Sequence, residues 1–114
     1  MKLPHAHLAL VEQDKIVGYL LNADHRYGAS KARYFTGLGF RQDAWRVLAA
    51  ALREHAEHND VVRVKHTGYG PRYEVDGILR GPENRSAHTR TIWQVDEGHV
   101  VPRLITAHPQ EADE

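Results

Sequence analysis

Apolar and polar positions alternate with two different periods along this chain. Residues 3–11 are predicted to be an extended lead-in, and from residue 14 to about residue 58 the apolar residues recur at three- and four-residue spacing, which is typical of amphipathic helices. Asp14, Ser30 and Asp43 precede such stretches and can cap helices, and Gly39 suits the left-handed residue that ends the second one. The predicted helices cover residues 14–21, 30–38 and 44–58.

From residue 61 the period is two, which is typical of strands. The predicted strands cover residues 61–66, 72–80, 86–96 and 101–107. Short connections favour an antiparallel meander, and helices followed by strands favour an α+β fold. We therefore predict one domain over residues 1–109, in which about three N-terminal helices pack on one face of a four-stranded antiparallel sheet. Residues 110–114 are expected to form a disordered tail.

The composition excludes several kinds of protein and site. With 114 residues, 41% of them apolar, the chain has the size and character of one globular domain. It contains no cysteine, which excludes disulfides, thiolate zinc sites and a cysteine nucleophile. No apolar run approaches the roughly 20 residues that cross a bilayer, and the N-terminus does not resemble a signal peptide. We therefore expect a cytoplasmic protein without a membrane partner.

The net charge is zero when histidine is neutral, which argues against a protein that holds nucleic acid by long-range attraction alone. A local basic cleft is still compatible with it. Nine histidines are many for this length, and His55 and His58 have a spacing that can serve a metal, but only with further ligands. The spacing brings no three histidines together, so we expect no metal and no cofactor.

Polar side chains on the predicted strands form a first candidate site. They are Arg72, Tyr73, Arg90, Thr91, Arg103 and Thr106. One interpretation is a solvated outer face, which antiparallel sheets commonly have. The other is an anion-binding face, because arginines beside hydroxyl groups can hold a phosphodiester and stabilise the charge that develops on it.

A second candidate site is the loop before the second predicted helix. His25 precedes Lys31 by six residues, across a Gly-containing loop that leads to a helix N-terminus, where free N–H groups favour anions. The histidine could move a proton to or from RNA, and the lysine could offset charge on a phosphate. The alternative is structural: His25 would bond a backbone group in its loop, and Lys31 would be an ordinary surface residue.

Six motifs follow one another along the chain. They are L-P-H-A (3–6), Y-L-L-N-A-D-H-R-Y-G-A-S-K-A-R-Y-F (19–35), L-G-F (38–40), G-P-R-Y-E-V-D-G (70–77), R-T-I-W (90–93) and P-R-L-I-T-A (102–107). Together they resemble an uncharacterised bacterial domain family, which occurs as small stand-alone proteins and at the C-termini of large secreted toxins. The order of elements and the H…K…R-T-x-W…T pattern in turn resemble the barnase, EndoU, colicin and RelE-like ribonucleases.

This resemblance implies a metal-independent endoribonuclease, the toxin of a toxin–antitoxin or related conflict system, in which the ribose 2′-OH attacks the neighbouring phosphate. The positions in matching motifs are His25, Lys31, Arg90, Thr91, Trp93 and Thr106. His25 would be acid or base, Lys31 and Arg90 would steady the phosphate, and either threonine would orient it. Arg26 departs from the pattern, because a proline usually follows the histidine.

The same hypothesis assigns the remaining strand residues to RNA binding. Tyr73 or Trp93 could stack on a base, and Arg72 and Arg103 could hold the backbone. A toxin of this kind would have two partners, the RNA and a small neutralising protein that blocks the basic cleft by charge complementarity.

A hypothesis from another class is a non-catalytic protein-binding module, such as an antitoxin, an immunity-type protein or an assembly partner. Gly28 and Gly39 would then serve backbone geometry, and Trp93 would belong to the core. A metalloenzyme is a distant third hypothesis.

Overall fold

The computed structural model describes residues 1–110, and the last four residues of the expected tail lie outside this part. Within it, helices come first and a four-stranded antiparallel sheet in sequential strand order follows, so the predicted α+β meander is confirmed. Gln110, which we expected in the tail, donates its backbone N–H to the carbonyl of His88 at 3.0 Å. No helix in residues 1–110 is long and apolar enough to span a membrane.

Three helices form the layer that covers the sheet. Helix α1 starts as one α-helical turn, Gln13–Lys15, and continues as a π-helix, Ile16–Leu20. Helix α2 spans Ala29–Gly37 and helix α3 spans Trp45–His58. Short 3-10 turns lie in the connections, at Ala6–Leu8, Gln42–Ala44 and Pro82–Asn84.

The helix positions are close to those predicted, but the predicted caps are wrong. None of Asp14, Ser30 and Asp43 caps a helix with its side chain. Asp43 instead forms an ion pair with Arg41 at 2.8 Å, which occupies the carboxylate that a cap would need. Gly39, by contrast, does adopt the predicted left-handed conformation after α2, with φ of 97°.

The π-helical turn in α1 decides which side chains of this helix are buried. The Leu21 N–H donates to the Ile16 carbonyl, five residues earlier, at 2.8 Å. Residues five apart lie about 140° apart around an α-helix, and a wider turn brings them closer to one side. Ile16, Leu20 and Leu21 are therefore all buried, while Tyr19 between them stays half-buried.

The sheet contains two irregularities in its register. Its strands are β1 Val61–Thr67, β2 Gly70–Arg80, β3 Ser86–Gln94 and β4 Arg103–Pro109. The pairing of β1 with β2 skips Val62, and the pairing of β3 with β4 skips Ile105. Both are bulges, which bend the strand that carries them and change the direction of the neighbouring side chains.

The core lies between α3 and one face of the sheet. Leu48 and Leu52 of α3 are fully buried against Val75 and Leu79 of β2 and Trp93 of β3. The helix and the strands are amphipathic, and each buries its apolar side against the other.

The register assigns each strand residue to one of two faces. Thr91 is opposite Val75, and Trp93 is opposite Tyr73, on the face that the helices cover. Arg90, which is adjacent to Thr91 in sequence, must lie on the opposite, outer face because side chains alternate along a strand. The polar strand residues that we grouped as one candidate site are therefore divided between two faces.

The segment before α1 runs beside the first part of β4. Leu10 accepts from the Leu104 N–H at 2.9 Å and donates to the Pro102 carbonyl at 2.8 Å. The chain then leaves this edge and turns into α1. This departure leaves an opening between α1 and the remainder of β4, and the candidate site lies there.

Candidate functional site

An open groove of about 700 Å³ lies between α1, the loop after it and the edge of β4. Glu12, Lys15, Gly18 and Tyr19 line it from α1 and its start, and Asp14 lies beside them. The loop contributes His25 and Tyr27, and β4 contributes Arg103, Leu104, Ile105 and Thr106. Three residues that we predicted from the sequence, His25, Arg103 and Thr106, are therefore brought together here.

Tyr19 is the residue around which the other polar groups of the groove are arranged. Its hydroxyl lies 3.1 Å from Oγ1 of Thr106, across 87 residues of sequence. The ring of His25 packs edge-on against the Tyr19 ring, with centroids 5.0 Å apart. The ammonium groups of Lys15 and Lys31 each lie 5.5 Å from the Tyr19 ring centroid. We call these five residues the Tyr19 cluster.

The loop that carries His25 is held by local hydrogen bonds. Asn22 accepts the Asp24 N–H on its side-chain oxygen at 3.0 Å, which forms an Asx-turn, and donates from Nδ2 to the Gly18 carbonyl at 3.2 Å. The His25 carbonyl accepts the Ala29 N–H at 3.1 Å, which joins the loop to α2. The position of His25 is therefore fixed from both α1 and α2.

Gly28 allows the loop to approach α1 closely. A Cβ atom at this position would lie 2.6 Å from the Tyr19 carbonyl oxygen and 3.2 Å from the His25 Cβ. Real side chains essentially never make the first contact. The close packing of His25 on Tyr19 therefore requires a glycine here for space, and its φ of −104° shows that the backbone conformation is an ordinary one.

The hydrogen bond of the His25 ring determines its neutral tautomer. Nδ1 of His25 accepts the backbone N–H of Tyr27 at 3.0 Å. A neutral ring that accepts at Nδ1 carries its proton on Nε2, so it presents a donor at Nε2. An imidazolium carries protons on both nitrogens, so protonation of His25 requires the ring to release the Tyr27 amide.

Two lysines beside Tyr19 form no ion pair in the described part of the chain, although Glu12 and Asp14 also line the groove. Within residues 1–110, neither Lys15 nor Lys31 has an acidic group within ion-pair distance. Arg103 differs from them, because its Nε donates to Asp96 at 2.7 Å. This bond holds the pKa of the Asp96 carboxyl below its ordinary value. The lysines are therefore the free positive charges beside Tyr19, and a bound anion would supply the missing counter-charge.

Arg90 does not line this groove. On the outer face it donates to both carboxylate oxygens of Asp76, at 2.7 and 2.8 Å, and lies 3.2 Å from Glu74. Glu74 is buried, at 6% exposure, so the arginine supplies the charge that this carboxylate needs. The arrangement of Arg90 is that of a structural ion pair between β2 and β3, and we leave it out of the proposed site.

Thr91 and Trp93 are also outside the groove, and both are fully buried under the sheet. The Trp93 indole N–H donates to Oγ1 of Thr91 at 2.9 Å, and that hydroxyl lies 3.1 Å from Nδ1 of His55. Nε2 of His55 lies 2.8 Å from the Thr89 carbonyl, so the neutral ring can donate there. No base can stack on a tryptophan that has no exposed surface, and we leave Thr91 and Trp93 out of the site as well.

This network explains the R-T-I-W motif by packing. Arg90 forms ion pairs with two acids on the outer face, and on the inner face Thr91, which accepts from Trp93, contacts a buried histidine. Burial lowers the pKa of His55 below its ordinary value, because the charged ring would lose water. The residue is therefore a neutral part of the core.

The other two predicted RNA-binding residues also lie apart from the groove. Tyr73 is half-buried on the helix-covered face, opposite Trp93. Arg72 lies on the outer face, where its Nε donates to Oε1 of Gln94 at 3.1 Å. No group of three or more acidic or histidine side chains within residues 1–110 is arranged to hold a metal ion.

Tyr19, Lys15 and Tyr27 are the groove residues that the sequence analysis missed. Tyr19 lies beside the apolar residues Ile16, Val17 and Leu20, so its position resembled a core position. The signal that could have found it is its place at the start of the Y-L-L-N-A-D-H-R-Y motif, six residues before His25. Tyr27, at 68% exposure, was visible as an aromatic residue in a polar loop.

Comparison with known proteins supports the fold and gives a family. No curated protein matches the sequence. A chain of the contact-dependent growth inhibition toxin–immunity protein complex from Klebsiella pneumoniae 342 has the same fold, with a TM-score of 0.73 over 94% of this chain and 97% of that chain, at 18% identity. The model of the family described as a domain of unknown function, DUF6883, matches residues 2–111. Because this match spans nearly the whole sequence, the chain belongs to the DUF6883 family.

Proposed function

We propose that this protein is a metal-independent endoribonuclease and that the Tyr19 cluster is its active site. The observation that carries the proposal is the convergence of His25, Thr106 and two lysines without ion-pair partners in residues 1–110 around Tyr19, which lines an open groove. A titratable ring beside uncompensated cations is the arrangement that phosphate chemistry without a metal requires.

In this proposal a phosphodiester binds over the Tyr19 ring, between the ammonium groups of Lys15 and Lys31. Both ammonium groups offset the charge that develops on the phosphorane. Neither of them is in an ion pair with a carboxylate within residues 1–110. Thr106 fixes the hydroxyl of Tyr19 through their contact of 3.1 Å, so that the hydroxyl can bond a phosphate oxygen.

The bonds formed and broken in this reaction balance without any further reactant. The 2′-oxygen forms a bond to phosphorus, and the bond from phosphorus to the 5′-oxygen breaks. The proton that leaves the 2′-OH is the proton that the 5′-oxygen gains, so the products are a 2′,3′-cyclic phosphate and a 5′-OH. His25 transfers this proton, and its ring must first release the Tyr27 amide, because the bound Nδ1 cannot carry a proton.

A toxin role in a bacterial conflict system is supported by the likeness to a chain of a toxin–immunity protein complex. We propose that the neutralising protein is acidic and that it blocks the groove by covering the two lysines. The alternative role, an immunity-type or other binding module, is favoured by the same likeness because that complex also contains an immunity protein. The Tyr19 cluster favours the toxin, since a binding module does not require a histidine among free cations.

The test is incubation of purified protein with total RNA in excess EDTA, followed by analysis of the product ends. We expect cleavage that leaves cyclic phosphate ends and that falls at least about a hundredfold in His25→Ala. His58→Ala is the matched control, because His58 is an exposed histidine at the end of α3.

Two results would reject the proposal. One is equal cleavage by the wild type and His25→Ala, which would mean that a contaminating nuclease or another site does the chemistry. The other is growth arrest by His25→Ala equal to that by the wild type when each is expressed in bacteria. Absence of cleavage together with tight binding of a partner protein would instead support the binding module.

A further inference from the structure

The zero net charge of the chain conceals an uneven distribution between the two faces of the sheet. The strands contain six arginines and lysines and two acids. The register places all eight on the outer face, since Arg63 and Lys65 pair with Glu74 and Arg72, and the remaining four occupy outward positions of β2, β3 and β4. The strand residues of this face therefore carry an excess of four positive charges, and the rest of the sequence has the matching negative excess.

The positive charge is concentrated in one row across all the strands. Lys65 of β1 is opposite Arg72 of β2, Arg72 is opposite Gln94 of β3, and Gln94 is opposite Arg103 of β4. Neighbouring strands lie about 4.8 Å apart, so the row spans about 14 Å. We call these four residues the cationic row.

The row is only slightly compensated, which distinguishes it from the next rows of the same face. Lys65 has no acidic partner within residues 1–110, and Arg72 bonds a neutral amide at 3.1 Å. Arg103 is paired with one carboxylate, that of Asp96. By contrast, Glu74 and Asp76, the two acids of β2, lie in the next rows along the strand, beside Arg63 and Arg90.

The amide in the middle of the row is a second feature that favours an oxygen-bearing ligand. Nε2 of Gln94 is buried and has no hydrogen-bond acceptor in the described part of the chain, whereas Oε1 accepts from Arg72. A buried donor without an acceptor is costly, so an oxygen-bearing ligand that reached this amide when Arg72 moved would be favoured. Phosphate oxygens are acceptors of this kind and carry the charge that the row lacks.

Arg103 connects the row with the groove, because it belongs to both. We propose that the cationic row binds the backbone phosphates of an RNA strand that extends from the Tyr19 cluster across the outer face of the sheet. The substrate class is then RNA of several nucleotides, in preference to a dinucleotide. This inference rests on the proposed function, because the position of the cleaved phosphate sets the direction in which the RNA strand runs. The binding of RNA to the row does not itself require cleavage.

The first experiment compares two substrates and one double variant. Lys65→Gln/Arg72→Gln removes two charges of the row and leaves the groove-lining Arg103 in place. With a 12-nucleotide RNA we expect KM to rise about tenfold, and with a dinucleoside monophosphate we expect no change, because the short substrate ends before the row. Arg80→Gln is the matched control, since Arg80 is an exposed arginine at the other end of β2.

Binding measured without cleavage separates this inference from the proposed function. A fluorescently labelled 12-nucleotide RNA is titrated with His25→Ala, with and without the row substitutions, at several salt concentrations. The logarithm of the binding constant should fall less steeply with the logarithm of salt in the row variant, by about 1.4 for two lost phosphate contacts. This result would support the row even if the wild type cleaved no RNA.

Two outcomes would overturn the inference. If the row variant loses equal activity on both substrates, the row acts through the groove or the fold, and it does not bind an extended strand. If RNA binding, its salt dependence and KM are all unchanged, the row does not contact RNA, and its charge would then suit an acidic surface of a protein partner.

Discussion

Two clusters of this molecule contain the same pair of residue types, a histidine and a threonine hydroxyl, and differ in almost everything else. In the groove, His25 and Thr106 surround Tyr19 next to two lysines without acidic partners. Under the sheet, His55 and Thr91 are joined to Trp93 by bonds that occupy both ring nitrogens. A satisfied, buried histidine therefore stabilises the fold, and one with free neighbours is available for chemistry.

The largest effect should come from the buried cluster. Trp93→Ala removes a fully buried indole and should lower the free energy of unfolding by about 3–5 kcal/mol. Urea denaturation followed by far-ultraviolet circular dichroism measures this change. A loss below about 1 kcal/mol would mean that Trp93 does not hold the sheet against α3.

Replacing each threonine by valine separates the roles of the two clusters, because the shape is kept and the hydroxyl is lost. Thr91→Val leaves the Trp93 N–H and Nδ1 of His55 without partners and should cost about 1–3 kcal/mol of stability, with cleavage per folded molecule unchanged. Thr106→Val should change stability by less than about 1 kcal/mol and slow cleavage. Urea midpoints and initial cleavage rates distinguish the two, and the reverse pattern would show that we have assigned the clusters wrongly.

Gly28→Ala tests whether the groove depends on close packing of its loop. The new methyl group would meet the Tyr19 carbonyl and should push His25 away from the Tyr19 ring. We expect cleavage to fall at least about tenfold, which corresponds to about 1.4 kcal/mol in the barrier. Gly68→Ala is the control, because open space surrounds its Cβ position. Equal rates for Gly28→Ala and wild type would show that the approach of the loop is unimportant.

The smallest effect is a pH dependence that belongs to the buried cluster. Burial holds the pKa of His55 in the folded protein below its value of 6.5 in the unfolded chain. As the pH falls below 6.5, the unfolded state binds a proton that the folded state does not, so stability falls, by at most about 1.4 kcal/mol per pH unit. Above 6.5 this contribution is complete.

Urea midpoints measured between about pH 7.5 and pH 5.5, on both sides of the ordinary histidine pKa, give this dependence. The substitution His55→Gln should flatten it. His58→Ala should keep the wild-type slope, because that side chain is exposed. If His55→Gln leaves the slope as it is in the wild type, another group produces the pH dependence.

Much of the fold followed from the sequence because periodicity reports burial. The two apolar periods predicted the helices and the strands, and Gly39 marked the end of α2. The helix caps could not be predicted from the sequence, because the carboxylate of Asp43 can pair with Arg41 as well as with the N–H groups of a helix N-terminus. Local pairs of this kind compete with caps, and spacing does not separate the two.

The candidate site could be predicted in part, for a reason that particular residues make clear. His25, Lys31 and Thr106 do converge, but the residue that joins them, Tyr19, depends on a π-turn that no apolar period reveals. Arg90 and Thr91 were grouped together although adjacent strand residues face opposite sides, so alternation alone could have separated them. Which face is covered by helices required the three-dimensional structure.

The two register bulges also bear on how the protein behaves at high concentration. Molecules of zero net charge repel one another only weakly, so an open strand edge would be a template for pairing between them. On β1, the edge is interrupted at Val62 and carries Arg63 and Lys65. On β4, Leu10 occupies the first part of the edge, and the bulge at Ile105 bends the rest of the strand. The two bulges therefore help to protect the sheet against association edge to edge.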